Sequence, residues 1–195
     1  MNDLSLEQKQ QQFHEFFMIK HPLLVNMQIM PEDFVLPNGS QFIQDMPYAF
    51  RIAAEVSQVD ANSFRPLRKL GEHAAELMDF LNRQSKKIDL IMSIVLQQQD
   101  QPENRYQAVE FGGGGVVLDC PTPITVGSQL ELKLFLTEEA SAVYCFGEVI
   151  ACQAADDRYH VSSIFTRIRE EDQEQLVRAT LHIQTQQLKK RRITE

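Results

Sequence analysis

The chain has 195 residues, 43% hydrophobic and 24% charged, with a formal net charge of −8. This composition supports a packed core in one large or two small domains and excludes general disorder, while the acidic balance speaks against a DNA- or RNA-binding role, because phosphate neutralisation needs a basic face. No apolar run reaches the ~18–20 residues of a membrane span, and the polar stretch from Met1 to Gln12 lacks the apolar centre of a secretory signal, so a soluble, cytoplasmic protein is expected.

Ser5-Leu6-Glu7-Gln8 fits an S-x-x-Q capping box, in which hydroxyl and amide satisfy free backbone groups at a helix start. The helix is expected from Leu6 to about Met18, with Phe13, Phe16 and Phe17 on one face. From His21 to Tyr48 the period is broken by Pro22, Pro31, Pro37 and Pro47, and Asn38-Gly39 marks a turn. Short extended pieces are expected at Leu23–Ile29 and Ala49–Ala54.

The most regular feature before residue 100 is a heptad run. Leu67, Ala74, Leu81, Ile88 and Val95 occupy one position, and Leu70, Leu77, Gln84 and Ile91 the position three residues later. One long helix over about 64–98 follows, with Asn62 or Ser63 as cap and Pro66 in the first turn. At ~1.5 Å per residue it would be longer than a small barrel can cover. Its seam can fold onto the N-terminal helix or pair with the same helix of another subunit. Gln84 is a polar interruption of the kind that fixes register, and the apolar width of Ile88–Leu96 suits three or more packed helices. A homo-oligomer, dimer or tetramer, is the expectation.

The polar stretch Gln97–Asn104, in which Pro102 discourages helix at the residue before it, separates this helical region (1–100) from a strand-rich region. Strands are expected at Arg105–Phe111, Val116–Cys120, Gln129–Thr137, Ala142–Gln153 and Tyr159–Arg167. In the third, Leu130, Leu132, Leu134 and Leu136 alternate with Glu131 and Lys133, the period of a half-buried strand. Strands at this spacing suggest a closed or nearly closed antiparallel barrel, followed by a helix from Glu170 to Arg192. The fold class is therefore α+β: a helical, oligomerising region, then a barrel with its C-terminal helix over 103–195.

Cys120, Cys145 and Cys152 make an odd set without a C-x-x-C pair and read as buried apolar side chains. The histidines have no metal-ligand spacing and there is no nucleophile elbow, so neither a metal site nor an enzyme is expected. Gly112–Gly115 lead into a strand rather than a helix and carry no Lys-Ser/Thr, which favours a tight barrel corner over a phosphate loop. Lys189-Lys190-Arg191-Arg192 close the last helix, where they complement its dipole or offer contacts to an acidic partner or a phosphate.

The run Val109-Glu110-Phe111-Gly112-Gly113-Gly114-Gly115-Val116-Val117-Leu118 resembles the start of a PilZ domain, as do Gly147-Glu148-Val149-Ile150, Tyr159-His160-Val161 and Ile164-Phe165 in their order. The helix carrying Leu81-Asn82-Arg83 through Lys87-Ile88-Asp89-Leu90-Ile91 is similar to the heptad-bearing extension of atypical PilZ proteins that assemble through helices. The resemblance implies cyclic di-GMP as a possible ligand, held by R-x-x-x-R before the barrel and D/N-x-S-x-x-G on it. Here only Arg105 stands near the first position, and the second aligns as Glu110-x-Gly112-x-x-Gly115, without the hydroxyl and with Glu for the short acid. Losing a charge-assisted contact costs ~1.5–3 kcal/mol, so binding is expected to be lost or weak and no cofactor is expected. The resemblance thus implies a non-enzymatic bacterial signalling adaptor with a protein partner in signalling, motility or polysaccharide secretion. The alternative is a true receptor using Arg105, the glycine loop and the basic tail.

Overall fold

The computed structural model describes residues 5–53, 55–56 and 74–194. Ser5 caps α1 (Leu6–Glu15) through both bonds of the capping box: its Oγ accepts from Gln8 N, and its own N donates to Gln8 Oε1. The helix stops three residues earlier than expected. Phe16 is already extended, because the chain must turn into β1 (Met18–Ile29). Phe16 and Phe17 therefore lie beyond the helix rather than on its face.

β1 is the main departure from the sequence expectation. It pairs antiparallel with β2 (Arg105–Gly112) on one side and β4 (Gln129–Leu136) on the other. With β3 (Gly115–Cys120), β5 (Ser141–Ala155) and β6 (Arg158–Arg167) it forms a closed six-stranded barrel in the order β1-β2-β3-β6-β5-β4. The barrel is thus not confined to residues 103–195. The extended piece expected at Leu23–Ile29 lies within β1, and the strand reaches back past Pro22 because the β1–β2 register shifts between Lys20 and Leu23, a bulge of the kind that tolerates proline.

Inside the barrel the expected alternation holds. Leu130, Leu132, Leu134 and Leu136 are all buried, with Val25, Phe111, Val116, Leu118, Val143, Val149 and Val161. Helix α5 (Glu170–Thr194) seals this core with Leu176, Ala179 and Ile183. At its start Asp172 is buried and bonded twice by Arg169, at 2.7 and 2.9 Å. Burial pushes the Asp172 carboxyl up, with Arg169 opposing.

A second cluster lies outside the barrel. Ala142, Tyr144 and Phe146 of β5 and Phe135 of β4 face outward, under α2 (Gly39–Asp45), a helical stretch α3 (48–53) and α4 (Ala74–Gln97). Phe42 stacks on Tyr144 at 5.6 Å, and Phe50 and Phe146 complete the aromatic group. Residues 49–53 are helical, not extended as expected: Phe50 N bonds back to Pro47 O, a turn that starts a helix after a proline.

Among the described residues the long helix begins at Ala74; Leu67, Leu70, Asn62, Ser63 and Pro66 lie outside them. Met92 and Leu96 bury α4 against the second cluster, with Val95 packed beside them. α1 contacts β5 and β6. Phe42→Ala should cost about 3–5 kcal/mol, the range for truncating a buried phenylalanine, read as a lowered urea midpoint with unchanged slope.

Candidate functional site

The four glycines form the corner between β2 and β3, and all are buried. None has a positive φ; among the described glycines only Gly127 does. Their need for glycine is steric. A Cβ on Gly112 would lie 2.2 Å from Phe17 O, and one on Gly113 2.7 Å from Val177. On Gly114 it would meet the Phe16 ring at 2.1 Å, and on Gly115 it would meet Ser163 O at 2.3 Å and the Phe13 ring at 2.6 Å. The end of α1 and the entry to β1 thus cover one side of the corner, and α5 another, with Gln173 Nε2 donating to Gly113 O at 2.9 Å.

α1 is held there by polar and apolar contacts. Lys9 Nζ reaches both Glu148 oxygens at 2.8 Å, Gln10 Nε2 donates to Ile150 O at 2.9 Å, and Phe13 packs with Ile150 and Ile164. Glu110, the acid of the degenerate motif, pairs with Lys20 across the β1–β2 ladder at 3.5 Å.

Arg105 opens β2 and Gly112 ends it, so at ~3.3 Å per residue the strand keeps them roughly 20 Å apart. The structure does not bring Arg105 to the glycine corner. Its Nε and Nη2 instead donate to the two oxygens of Asp100. Asp100 Oδ1 also accepts from Asn26 Nδ2 at 2.8 Å, and Asn26, buried in β1, accepts from Gln101 N at 2.7 Å. Burial pushes the Asp100 carboxyl up, but the bonds from Arg105 and Asn26 and the Arg105 charge outweigh it, leaving it below the ordinary 3.8. Nothing in the sequence marks Asn26 or Asp100 as members of this network, because they sit 74 residues apart.

A cleft of about 460 Å³ lies beside this network, between the end of α4 and the β1/β4 side of the barrel. The basic tail, Lys189–Arg192, occupies the last turns of α5. Just before it, Gln187 Nε2 donates to Lys20 O at 3.1 Å, which places that part of α5 along the start of β1.

Among the described residues the α4 seam is only partly covered. Leu77, Ile88 and Ile91 remain 47%, 44% and 60% exposed, with Phe80, Leu90 and Ile94 exposed beside them. Leu81, Gln84 and Val95 are half-buried. No helix among the described residues is long and apolar enough to cross a membrane, and no group of metal-ligating side chains occurs among them.

The PilZ domain family model matches residues 81–182, from within α4 to within α5. A solved PilZ domain protein of Xanthomonas campestris, described as tetrameric and self-assembled via an unusual helical bundle, is similar over 92% of this chain and 96% of its own, with 13% identity and a TM-score of 0.56. That likeness shows the fold. The Bacillus subtilis inhibitor of motility is similar over 44% of this chain and 45% of its own, with 19% identity and a TM-score of 0.41. No curated protein matches the sequence.

Two tests follow from this geometry. Gly115→Ala should destabilise by about 1–3 kcal/mol, as overpacking against backbone does, whereas Gly39→Ala, with nothing near its Cβ, should stabilise by about 0.4–1 kcal/mol; urea unfolding compares them. For Asp100, a depressed folded pKa means its contribution is full above the ordinary 3.8 and is lost as pH falls through the lower folded value. Asp100→Asn should therefore lower the melting temperature at pH 7, and the gap from the parent chain should narrow below pH 3.8.

Proposed function

The chain belongs to the PilZ domain family, and from that premise we propose that it is a non-enzymatic adaptor in cytoplasmic bacterial signalling, assembled through α4, in which the cyclic di-GMP site is closed. The observation that carries this reading is the filled glycine corner. Phe13, Phe16 and Val177 stand against the glycines themselves, and the acid of the degenerate motif is paired with Lys20. A nucleotide there would have to displace the α1–β1 entry, losing the buried Phe13 contacts and the Lys9–Glu148 pair, whose side chains are only 17% and 14% exposed. The remaining basic groups do not make good this loss, since Arg105 stands at the far end of β2 and is neutralised by Asp100.

Assembly is supported by the exposed seam of α4. The arc from Ile88 and Ile91 to Leu90 and Ile94 is too wide for burial against one helix. The bundle reported for the Xanthomonas campestris relative supports the same arrangement here. With the nucleotide site closed, the adaptor acts by presenting its barrel or tail surface to a protein partner in signalling, motility or polysaccharide secretion.

Titration calorimetry of the full chain with cyclic di-GMP tests the closed site: no saturable heat is expected below about 100 μM, weaker than ~−5.5 kcal/mol. Low-micromolar binding that is lost in Arg105→Ala would instead make the chain a true receptor. Light scattering after size exclusion tests assembly. A multiple of 22.4 kDa is expected, and Ile88→Glu with Ile91→Glu should reduce it to a single chain, because both positions are exposed in one chain. An unchanged mass would place the interface elsewhere.

A further inference from the structure

Helix α5 carries more apolar surface than sealing the barrel requires. Leu176, Ala179 and Ile183 close the core, and a helix that only covers a core needs one such stripe. Val177, Leu181 and Leu188 are exposed and stand on a second stripe, roughly 140° round the helix from the first. At ~1.5 Å per residue they cover roughly 16 Å, three turns of helix.

This stripe borders the start of β1. Val177 lies against Gly113, whose missing Cβ would meet it at 2.7 Å, and the neighbouring Gly112 lies under the carbonyl of Phe17. Phe17 is exposed as well. Towards the other end of the stripe Gln187 Nε2 donates to Lys20 O at 3.1 Å, so this flank of α5 runs beside β1 from Phe17 to Lys20. Apolar residues scattered singly on a surface are ordinary, whereas a row of them marks an interaction site.

The charges along α5 are graded. Glu170, Glu171 and Glu174 are exposed at its start, and Lys189 and Lys190 at its end, where Arg191 and Arg192 follow in the chain. Lys20 adds a cation near Gln187, with its side chain 87% exposed although it pairs with Glu110. In a chain of net charge −8 this end reverses the prevailing sign. A partner helix antiparallel to α5 would place its own N-terminus, where the helix dipole favours acids, on the basic end. An anionic lipid surface fits less well, since it would meet the net charge of −8 and the acidic first turn together.

We propose that this flank, Val177, Leu181 and Leu188 with Phe17, is the docking surface for an amphipathic helix of a protein partner, acidic in its first turn and laid antiparallel to α5. The proposal rests on the adaptor reading and supplies the chemistry by which its partner is recognised. The apolar row takes the partner's i, i+4 and i+7 side chains, and the graded charge fixes the direction.

The probe is a fluorescein-labelled synthetic peptide, SEEELAQLLAQLAKKG, titrated with the full chain and followed by fluorescence anisotropy. The comparison peptide, SKKKLAQLLAQLAEEG, keeps the leucines and reverses the charges. Saturable binding of the first is expected below about 1 mM, at least roughly ten-fold tighter than binding of the second. Leu181→Glu should weaken it by at least roughly ten-fold. Leu188→Glu repeats the test at a second position, and both variants should melt as the parent does, because both side chains are exposed. Lys189→Glu with Lys190→Glu should invert the preference between the two peptides. No saturable binding, equal affinity for the two peptides, or unchanged affinity in both leucine variants would overturn the proposal. If the chain binds neither peptide and instead sediments with phosphatidylglycerol vesicles through Leu181, the surface is a membrane contact and the proposal falls. The two readings fail separately: low-micromolar cyclic di-GMP binding or a single-chain mass removes the adaptor, whereas absence of peptide binding in a chain that keeps its assembled mass removes only the docking surface.

Discussion

Of the five strands of residues 105–167, the two at the ends of the row, β2 and β4, do not pair with one another. β2 and β4 would each present an unpaired edge, the exposed backbone that folded sheets must cover or close. β1 supplies the missing strand, bonded to β2 from Met18 to Asn26 and to β4 from Leu24 to Ile29. That insertion also positions α1, α2 and α3. Because Met18 must pair with Gly112, the residues just before it arrive at the glycine corner, and α1 is laid over β5 and β6. Because β1 ends beside β4, the chain after Ile29 emerges next to the outward face of β4 and β5, where α2 and α3 pack.

β5 shows the energetic consequence. Its residues Ala142–Phe146 form an unbroken apolar run, with Val143 and Cys145 in the barrel core and Ala142, Tyr144 and Phe146 in the outer cluster. A strand buried on both faces loses the alternation of a half-exposed one. At ~25 cal/mol per Å² of apolar surface, an aromatic group such as Tyr144 and Phe146 would be costly to leave in water. The helices of residues 39–53 are therefore part of the barrel's own packing, and the helical half and the strand half share two hydrophobic clusters rather than meeting at a linker.

The strands of the second half were legible because their signal is local. Period-two alternation in β4 and the turn at Asp156-Asp157 each lie within a few residues of the element they define. β1 was only half legible: Leu23, Val25 and Met27 alternate as a strand should, but Pro22 stands inside it, and only the pairing with β2 reveals the bulge that accommodates the ring. α2 and α3 were missed for a different reason. Phe42, Met46 and Phe50 are selected by aromatic partners on β5 a hundred residues away, and short segments with no period of their own carry no mark of such partners. The capping box was read correctly down to its two hydrogen bonds, because both partners lie within one turn of helix.

The candidate site sharpens the same distinction between residue type and residue setting. Four consecutive glycines suggest a loop that cradles a phosphate or bends the backbone, yet here each is explained by a side chain or carbonyl pressed against its missing Cβ. The glycines would be required by α1, β1 and α5 even if the chain never met a nucleotide. Arg105 makes the complementary case. In sequence it is a lone arginine where a pair would be informative; in the fold, Asp100 accepts from its Nε and Nη2, and Asn26 holds Asp100 in turn. A motif that looks present is occupied by the chain's own packing, and a residue that looks isolated is positioned by neighbours 5 and 79 places away in sequence, Asp100 and Asn26. What a residue can offer a ligand is therefore set by which of its neighbours the fold has already pressed against it, and neither the glycines nor Arg105 carries that information in the sequence.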